Sequence, residues 1–273
     1  MKLATVRIEG GTSAALEDEG SLILLPFVDV GDWLRAGSPD VRQYDGGARL
    51  PAEKADFAPL VTLPGKIVCV GLNYREHILE MGRELPPYPT LFAKFADALV
   101  GAYDPIVLPP GSVAVDWEAE LAVVIGSRVS HATDEEAAAA IAGFTVANDI
   151  SARDFQRRTT QWLQGKTFDD TTPLGPYLLT ADESGSAPGL SISCSVDGSG
   201  KQLADTADLV FGPVELVRYI SAVTTLNPGD VILTGTPGGV GDGLNPKEFL
   251  TDGSVVTTSI SGIGECRNTC ILR

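Results

Sequence analysis

Residues 115–126 place three acids, Asp116, Glu118 and Glu120, directly ahead of the apolar run Leu121-Ala122-Val123-Val124-Ile125 and a closing Gly126. The β-branched run that stops at a glycine reads as a β-strand. Alternate residues of a strand share a face, so Glu118 and Glu120 point the same way. Two carboxylates side by side raise each other's pKa unless a cation sits between them. Oxygen donors at that spacing suit a hard divalent ion: Mg²⁺, Mn²⁺ or Ca²⁺. The alternative is a solvated acidic face on an edge strand.

Short apolar runs bounded by turn residues recur along the chain, and helices are few. Residues 29–36 read as a short helix, and Thr133 with Glu136 forms a capping box ahead of another. Residues 214–223 read as a third, with Val214, Val217 and Ile220 inward and Leu216 a further candidate. Residues 190–196 alternate cleanly and turn at Asp197-Gly198, a hairpin signal. The pattern implies a β-rich α+β fold. Residues 1–62 are expected as a small N-terminal α+β domain and 63–273 as a larger one. Residues 51–64 read as a linker.

Acids number 36 against 20 Lys and Arg, a net charge of -16. That balance argues against nucleic acid or an anionic membrane as the main partner, while a local basic cluster could still hold a small anion. The four cysteines match no zinc pattern and are expected as reduced thiols in the cytoplasm. No segment reads as a signal peptide or a membrane span.

Other chemistry-bearing residues are scattered. If Asn73 caps a short helix, His77 and Glu80 lie three apart on one face and can hydrogen-bond. A carboxylate that fixes an imidazole's tautomer and raises its basicity suits a general base, although a plain surface contact would look the same. Lys94 lies in an apolar strand, either snorkelling at an edge or placed to meet an anion. Residues 144–150 read as a strand that presents Asp149 at its end. Arg153, Arg157, Arg158 and Lys166 are dense positive charge for so acidic a chain. The glycine-rich stretch 234–241 lacks the Gly-Lys-Ser/Thr of a phosphate loop. It could bring backbone amides or the Thr236 hydroxyl close to a ligand.

Taken together, several stretches resemble the fumarylacetoacetate hydrolase family. They are Gly71-Leu72-Asn73-Tyr74 with His77 and Glu80, Asp116-Trp117-Glu118-Ala119-Glu120-Leu121, and Asn148-Asp149-Ile150-Ser151-Ala152-Arg153-Asp154. Gln156, Gln164-Gly165-Lys166, Pro173-Leu174-Gly175-Pro176 and the run from Pro228 to Gly241 extend the likeness, which covers about 65–273. The resemblance implies a mixed β-roll, a homodimer, and one Mg²⁺ or Mn²⁺ held by Glu118, Glu120 and Asp149. It further implies that His77 and Glu80 position and deprotonate water, that Lys166 and Gln156 stand near the reacting carbonyl, and that Thr236 lies near the substrate carboxylate. Arg153 and Lys94 are expected to help bind the anion.

Three carboxylates more than neutralise a divalent ion. Such an ion acidifies water less than a zinc held by neutral imidazoles, so a separate base is needed. The resulting expectation is a cytoplasmic, metal-dependent hydrolase of aromatic catabolism. It would cleave a C–C bond in a 3-acylpyruvate such as fumarylpyruvate, to pyruvate and a carboxylic acid. Oxaloacetate decarboxylation, dienedioate isomerisation and non-catalytic metabolite binding are the alternatives.

Overall fold

The protein is described from a computed structural model covering residues 1–80, 82–185 and 189–273. It is a strand-rich α+β fold built on one long sheet. The strands run in the order Arg49–Pro51, Ser21–Leu24, Gly11–Asp18, Lys2–Ile8, Thr172–Thr180, Ile141–Asn148, Ala119–Ile125, Val231–Leu233, Ile67–Gly71 and Thr90–Lys94. A five-stranded sheet follows the order Ser199–Asp205, Ser191–Val196, Val255–Ile260, Gly264–Ile271 and Ile106–Val107.

The apolar run of the acidic stretch lies in the middle of the long sheet. Ala119–Ile125 pairs antiparallel with Ile141–Asn148 on one side and Val231–Leu233 on the other. Every residue of it is buried. Leu121, Val123 and Ile125 join the core shared with the five-stranded sheet. Ala122 and Val124 join a second core under the helix Val30–Arg35. A strand covered on both faces has no solvated face, so the edge-strand alternative for its acids does not hold.

The first 62 residues do not stand apart in the sheet. Lys2, Leu3 and Ala4 pair with Leu179, Leu178 and Tyr177, so the expected boundary falls within one hydrogen-bonded sheet. Residues 51–64, expected as a linker, are packed: Phe57, Ala58, Leu60 and Val61 are buried. The Leu60 amide donates to the Leu174 carbonyl at 3.0 Å.

Local signals fare well where the pattern is short-range. The helix Asp134–Ala140 has its capping box between Thr133 and Glu136. The hairpin turns at Asp197 and Gly198, both at positive φ, 51° and 77°. In the helix Pro213–Val223 the inward residues include Leu216, Val217 and Ile220, while Val214 is only half-buried.

Candidate active site

The strand expected over the acid stretch is broken. Val115–Asp116 is one short strand and Ala119–Ile125 the next, with Trp117 and Glu118 between them. The Glu118 amide donates to Asn148 Oδ1 at 2.9 Å, and the Asp149 amide donates to the Glu118 carbonyl at 2.8 Å. The end of one strand is thereby tied to the end of its neighbour, which puts Glu118, Glu120 and Asp149 together. One carboxylate oxygen from each lies within 4.8 Å of the others, and all three residues are buried.

Cations surround two of these acids. Lys166 Nζ lies 2.5 Å from Glu118 Oε2 and 2.8 Å from Asp149 Oδ2. Lys94 Nζ lies 2.6 Å from Asp149 Oδ1. Arg153 bridges Asp116 and Glu118 at 2.8 and 2.7 Å. Burial pushes the Asp149 carboxyl up, but Lys166 and Lys94 outweigh it and hold the group at about 2. Burial also works against the Lys166 ammonium, and Asp149 and Glu118 overcome it, so its pKa is raised.

Glu120 is different. Its carboxylate accepts the Gly235 amide at 2.6 Å and has no cation as a bonded partner among the described residues. Burial, then the charges of Asp149 and Glu118, drive its pKa well above the ordinary carboxylate range. A divalent ion would relieve that conflict, and a set of three hard carboxylate donors suits one. The residues therefore fit a divalent metal.

The cluster opens into a cleft of about 400 Å³ whose lining includes Glu118, Glu120, Arg153, Gln156, Lys166 and Thr236. His77, Glu80 and Arg83 line it from the helix Arg75–Glu80 and the residues after it. Asn73 does not cap that helix. Its side-chain amide donates to the carbonyls of Phe211 and Thr234 at 3.0 and 2.8 Å, fixing the helix's approach to the glycine-rich loop. His77 and Glu80 form no hydrogen bond with each other among the described residues. Both face Gly238, where a Cβ would lie 3.2 Å from His77 Nδ1 and 3.3 Å from Glu80 Oε2. Burial lowers the His77 pKa and outweighs the opposing charge of Glu80, so the imidazole is neutral at pH 7.

Of the expected substrate contacts, Arg153 and Thr236 line the cleft. Thr236 accepts from Gln202 Nε2 at 2.8 Å. Lys94 does not line the cleft: it is buried behind the cluster as a partner of Asp149. Gln156 accepts from Arg153 Nη1 at 3.1 Å.

Several site residues were not legible in sequence. Asp116 shares strand parity with Glu118 and Glu120, but the break at Trp117 turns it away. There it accepts from the amides of Gly241 and Asp242 at 2.7 and 3.0 Å and anchors the loop that forms one wall. Gln202 holds that loop from the other sheet, accepting from the Ala119 amide and donating to the Pro237 carbonyl. The Trp162 ring covers Gly71 so closely that a Cβ there would lie 2.4 Å from it. A glycine closing the strand Ile67–Gly71 was the available hint of such an approach.

Residues 66–271 match the family model described as fumarylacetoacetate (FAA) hydrolase C-terminal. The chain belongs to the fumarylacetoacetate hydrolase family. It is 49% identical over 217 residues to a Bos taurus protein named oxaloacetate tautomerase FAHD2A, mitochondrial, covering 79% of this chain and 69% of that one. Among solved structures, a fumarylacetoacetate hydrolase from Exiguobacterium antarcticum superposes over all of both chains with a TM-score of 0.91 at 31% identity. A fumarylpyruvate hydrolase from Pseudomonas aeruginosa, in complex with Mn²⁺ and pyruvate, has a TM-score of 0.69 at 32% identity. It covers 77% of this chain and 91% of its own. The chain thus has the fold of a family of metal-binding enzymes.

Two expectations are corrected by these matches. Hydrolysis of a 3-acylpyruvate gives way, because the relatives near 49% identity are named oxaloacetate tautomerases and the fumarylpyruvate hydrolase is more distant. An acid cluster, a base and flanking cations serve enolisation as well as C–C cleavage, so these residue types alone do not separate the two. The cytoplasmic expectation gives way as well, since the same relatives are mitochondrial by name. The four cysteines are free and buried, and buried free thiols do not choose between such compartments.

Proposed function

We propose that this protein interconverts the keto and enol forms of oxaloacetate, with Mg²⁺ or Mn²⁺ held by Glu118, Glu120 and Asp149. The observation that carries this reading is the 49% identity to an oxaloacetate tautomerase. The matched 217 residues are so large a share of the 273 that they span His77 to Lys166 wherever the match begins.

The reaction moves one proton. C3 loses it, the C3–H electron pair becomes the C2=C3 bond, and the C2 carbonyl electrons move to oxygen, which takes up a proton. When bound, the metal would supply Lewis-acid polarisation of the keto-acid oxygens and so ease the build-up of enolate charge. His77 is the base in this reading: it lines the cleft, and burial keeps it neutral and able to accept a proton. Glu80 then stabilises the imidazolium by charge. Lys166 and Arg153 offset the carboxylates, so an anionic substrate is not repelled. Gln156 and Thr236 offer polar contacts on the cleft wall. No water attack is required, which separates this chemistry from hydrolysis. Assembly as a homodimer belongs to the same proposal and is tested by light scattering.

The test follows ultraviolet absorbance as oxaloacetate relaxes between its tautomers, with Mg²⁺ or with chelator, while pyruvate is assayed in parallel. Faster metal-dependent relaxation without extra pyruvate is expected. Unchanged relaxation overturns the proposal, and metal-dependent pyruvate release in its place would make the protein a decarboxylase.

A further inference from the structure

Among the described residues, three cations line the cleft: Arg83, Arg153 and Lys166. Two are already engaged. Arg153 is bonded to Asp116, Glu118 and Gln156, and Lys166 to Glu118 and Asp149. The Arg83 guanidinium has no carboxylate partner among the described residues. Glu80 and Asp242 line the same cleft, and Asp242 is paired instead with Arg157 and Lys247. In a chain of net charge -16, an arginine at a binding cleft with no acid bonded to it is open to an outside anion.

Its position is defined. Arg83 follows the helix that carries His77, and its amide donates to the Ile78 carbonyl at 3.2 Å. The charges of Arg83 and Arg153 both reach His77. The imidazole is therefore influenced by two guanidinium groups, one bound into the acid cluster and one with no carboxylate partner among the described residues.

We infer that Arg83 binds the C4 carboxylate of the substrate and selects dicarboxylate keto acids over monocarboxylate ones. The inference rests on the oxaloacetate reading and adds to it the residue that recognises the far end. In oxaloacetate the reacting C3 lies between the keto carbon and the C4 carboxylate. With the keto-acid end at the cluster and C4 on Arg83, C3 would lie between the two, in the cleft that His77 also lines. A guanidinium matches a carboxylate with two parallel N–H donors, a geometry an ammonium lacks. Arg83 is exposed at the rim, so it also attracts the dianion before binding.

The test compares wild type with Arg83→Gln and Arg83→Lys, using oxaloacetate and its 4-ethyl ester, which carries no charge at C4. Arg83→Gln is expected to raise KM for oxaloacetate by roughly 10–100-fold, the range for losing a hydrogen-bonded charge, and to leave KM for the ester unchanged. Arg83→Lys should fall between. Equal losses on both substrates, or none on either, overturn the inference. If wild type enolises neither substrate, the oxaloacetate reading fails, and calorimetry still decides on Arg83. Succinate bound in preference to butyrate, with the preference abolished by Arg83→Gln, would uphold it. No preference, or one the variant keeps, would overturn it.

Discussion

Asp116 offers the sharpest mutational test of how the cleft is built. It is fully buried, yet it lines no part of the cleft. Oδ1 accepts from the Trp117 and Gly241 amides at 2.8 and 2.7 Å. Oδ2 accepts from the Asp242 amide and Arg153 Nε at 3.0 and 2.8 Å. Asp116→Asn keeps the shape and one acceptor oxygen. The two amides on Oδ1 then bond a neutral group, while Asp242 and Arg153 face an NH₂ that cannot accept. Hydrogen bonds to a charged group contribute about 1.5–3 kcal/mol and neutral ones about 0.5–1.5. Arg153 keeps Glu118 and Gln156, which limits the loss from its side. The net cost is about 3 kcal/mol, at the low end for breaking a buried ion pair. At roughly 2–4 °C per kcal/mol for a large domain, the melting temperature should fall by about 6–12 °C. Because Val240, Asp242 and Leu244 line the cleft, kcat/KM should fall with it, by roughly tenfold, since small misplacements cost rate steeply. Differential scanning calorimetry and initial rates on one preparation measure both. A variant that matches wild type in melting temperature and kcat/KM would refute the idea that this carboxylate holds the wall.

Lys94→Met should leave KM for substrate unchanged, because the ammonium lies behind the acid cluster on Asp149. The variant should lose about 3 kcal/mol in urea unfolding, as for a broken buried pair, and a raised KM with normal stability would return Lys94 to the substrate. His77→Ala should lower kcat by roughly 10²–10⁴, the usual contribution of general base catalysis, and leave Mn²⁺ affinity unchanged in a calorimetric titration. The pH profile carries a sign. Burial lowers the pKa of His77, so the active neutral form persists below the usual 6.5. kcat/KM should be flat near neutrality and fall only as pH drops through that lowered value. An acid limb that begins above pH 7 would contradict the assignment.

Short-range chemistry made much of this molecule readable in advance. The apolar run after Glu120 had to be a strand, and its neighbours supplied Asp149 at a matching strand end. The capping box at Thr133 and the Asp197-Gly198 turn formed where their residues require. Long-range pairing was not readable. Nothing local in residues 90–95 shows that the Lys94 ammonium meets a carboxylate 55 positions away. Likewise, Asn73 looks like a helix cap in sequence, but bonding to Phe211 and Thr234 satisfies its amide more completely than a cap would. The break at Trp117 was hidden for the same reason. It depends on Asn148 and on the loop amides that Asp116 accepts, all supplied by distant chain. The reaction was the least legible feature, because one arrangement of acids, base and cations serves several enolate chemistries.

Isothermal titration of the metal-free protein with Mn²⁺ probes the three-carboxylate cluster most directly, comparing wild type with Glu120→Gln. One ion per chain should bind wild type, and the variant should lose at least tenfold in affinity while melting no lower than wild type, because its neutral amide removes the buried carboxyl's conflict with Glu118 and Asp149. Equal affinity in the two proteins would mean that the ion does not bind where Glu118, Glu120 and Asp149 meet.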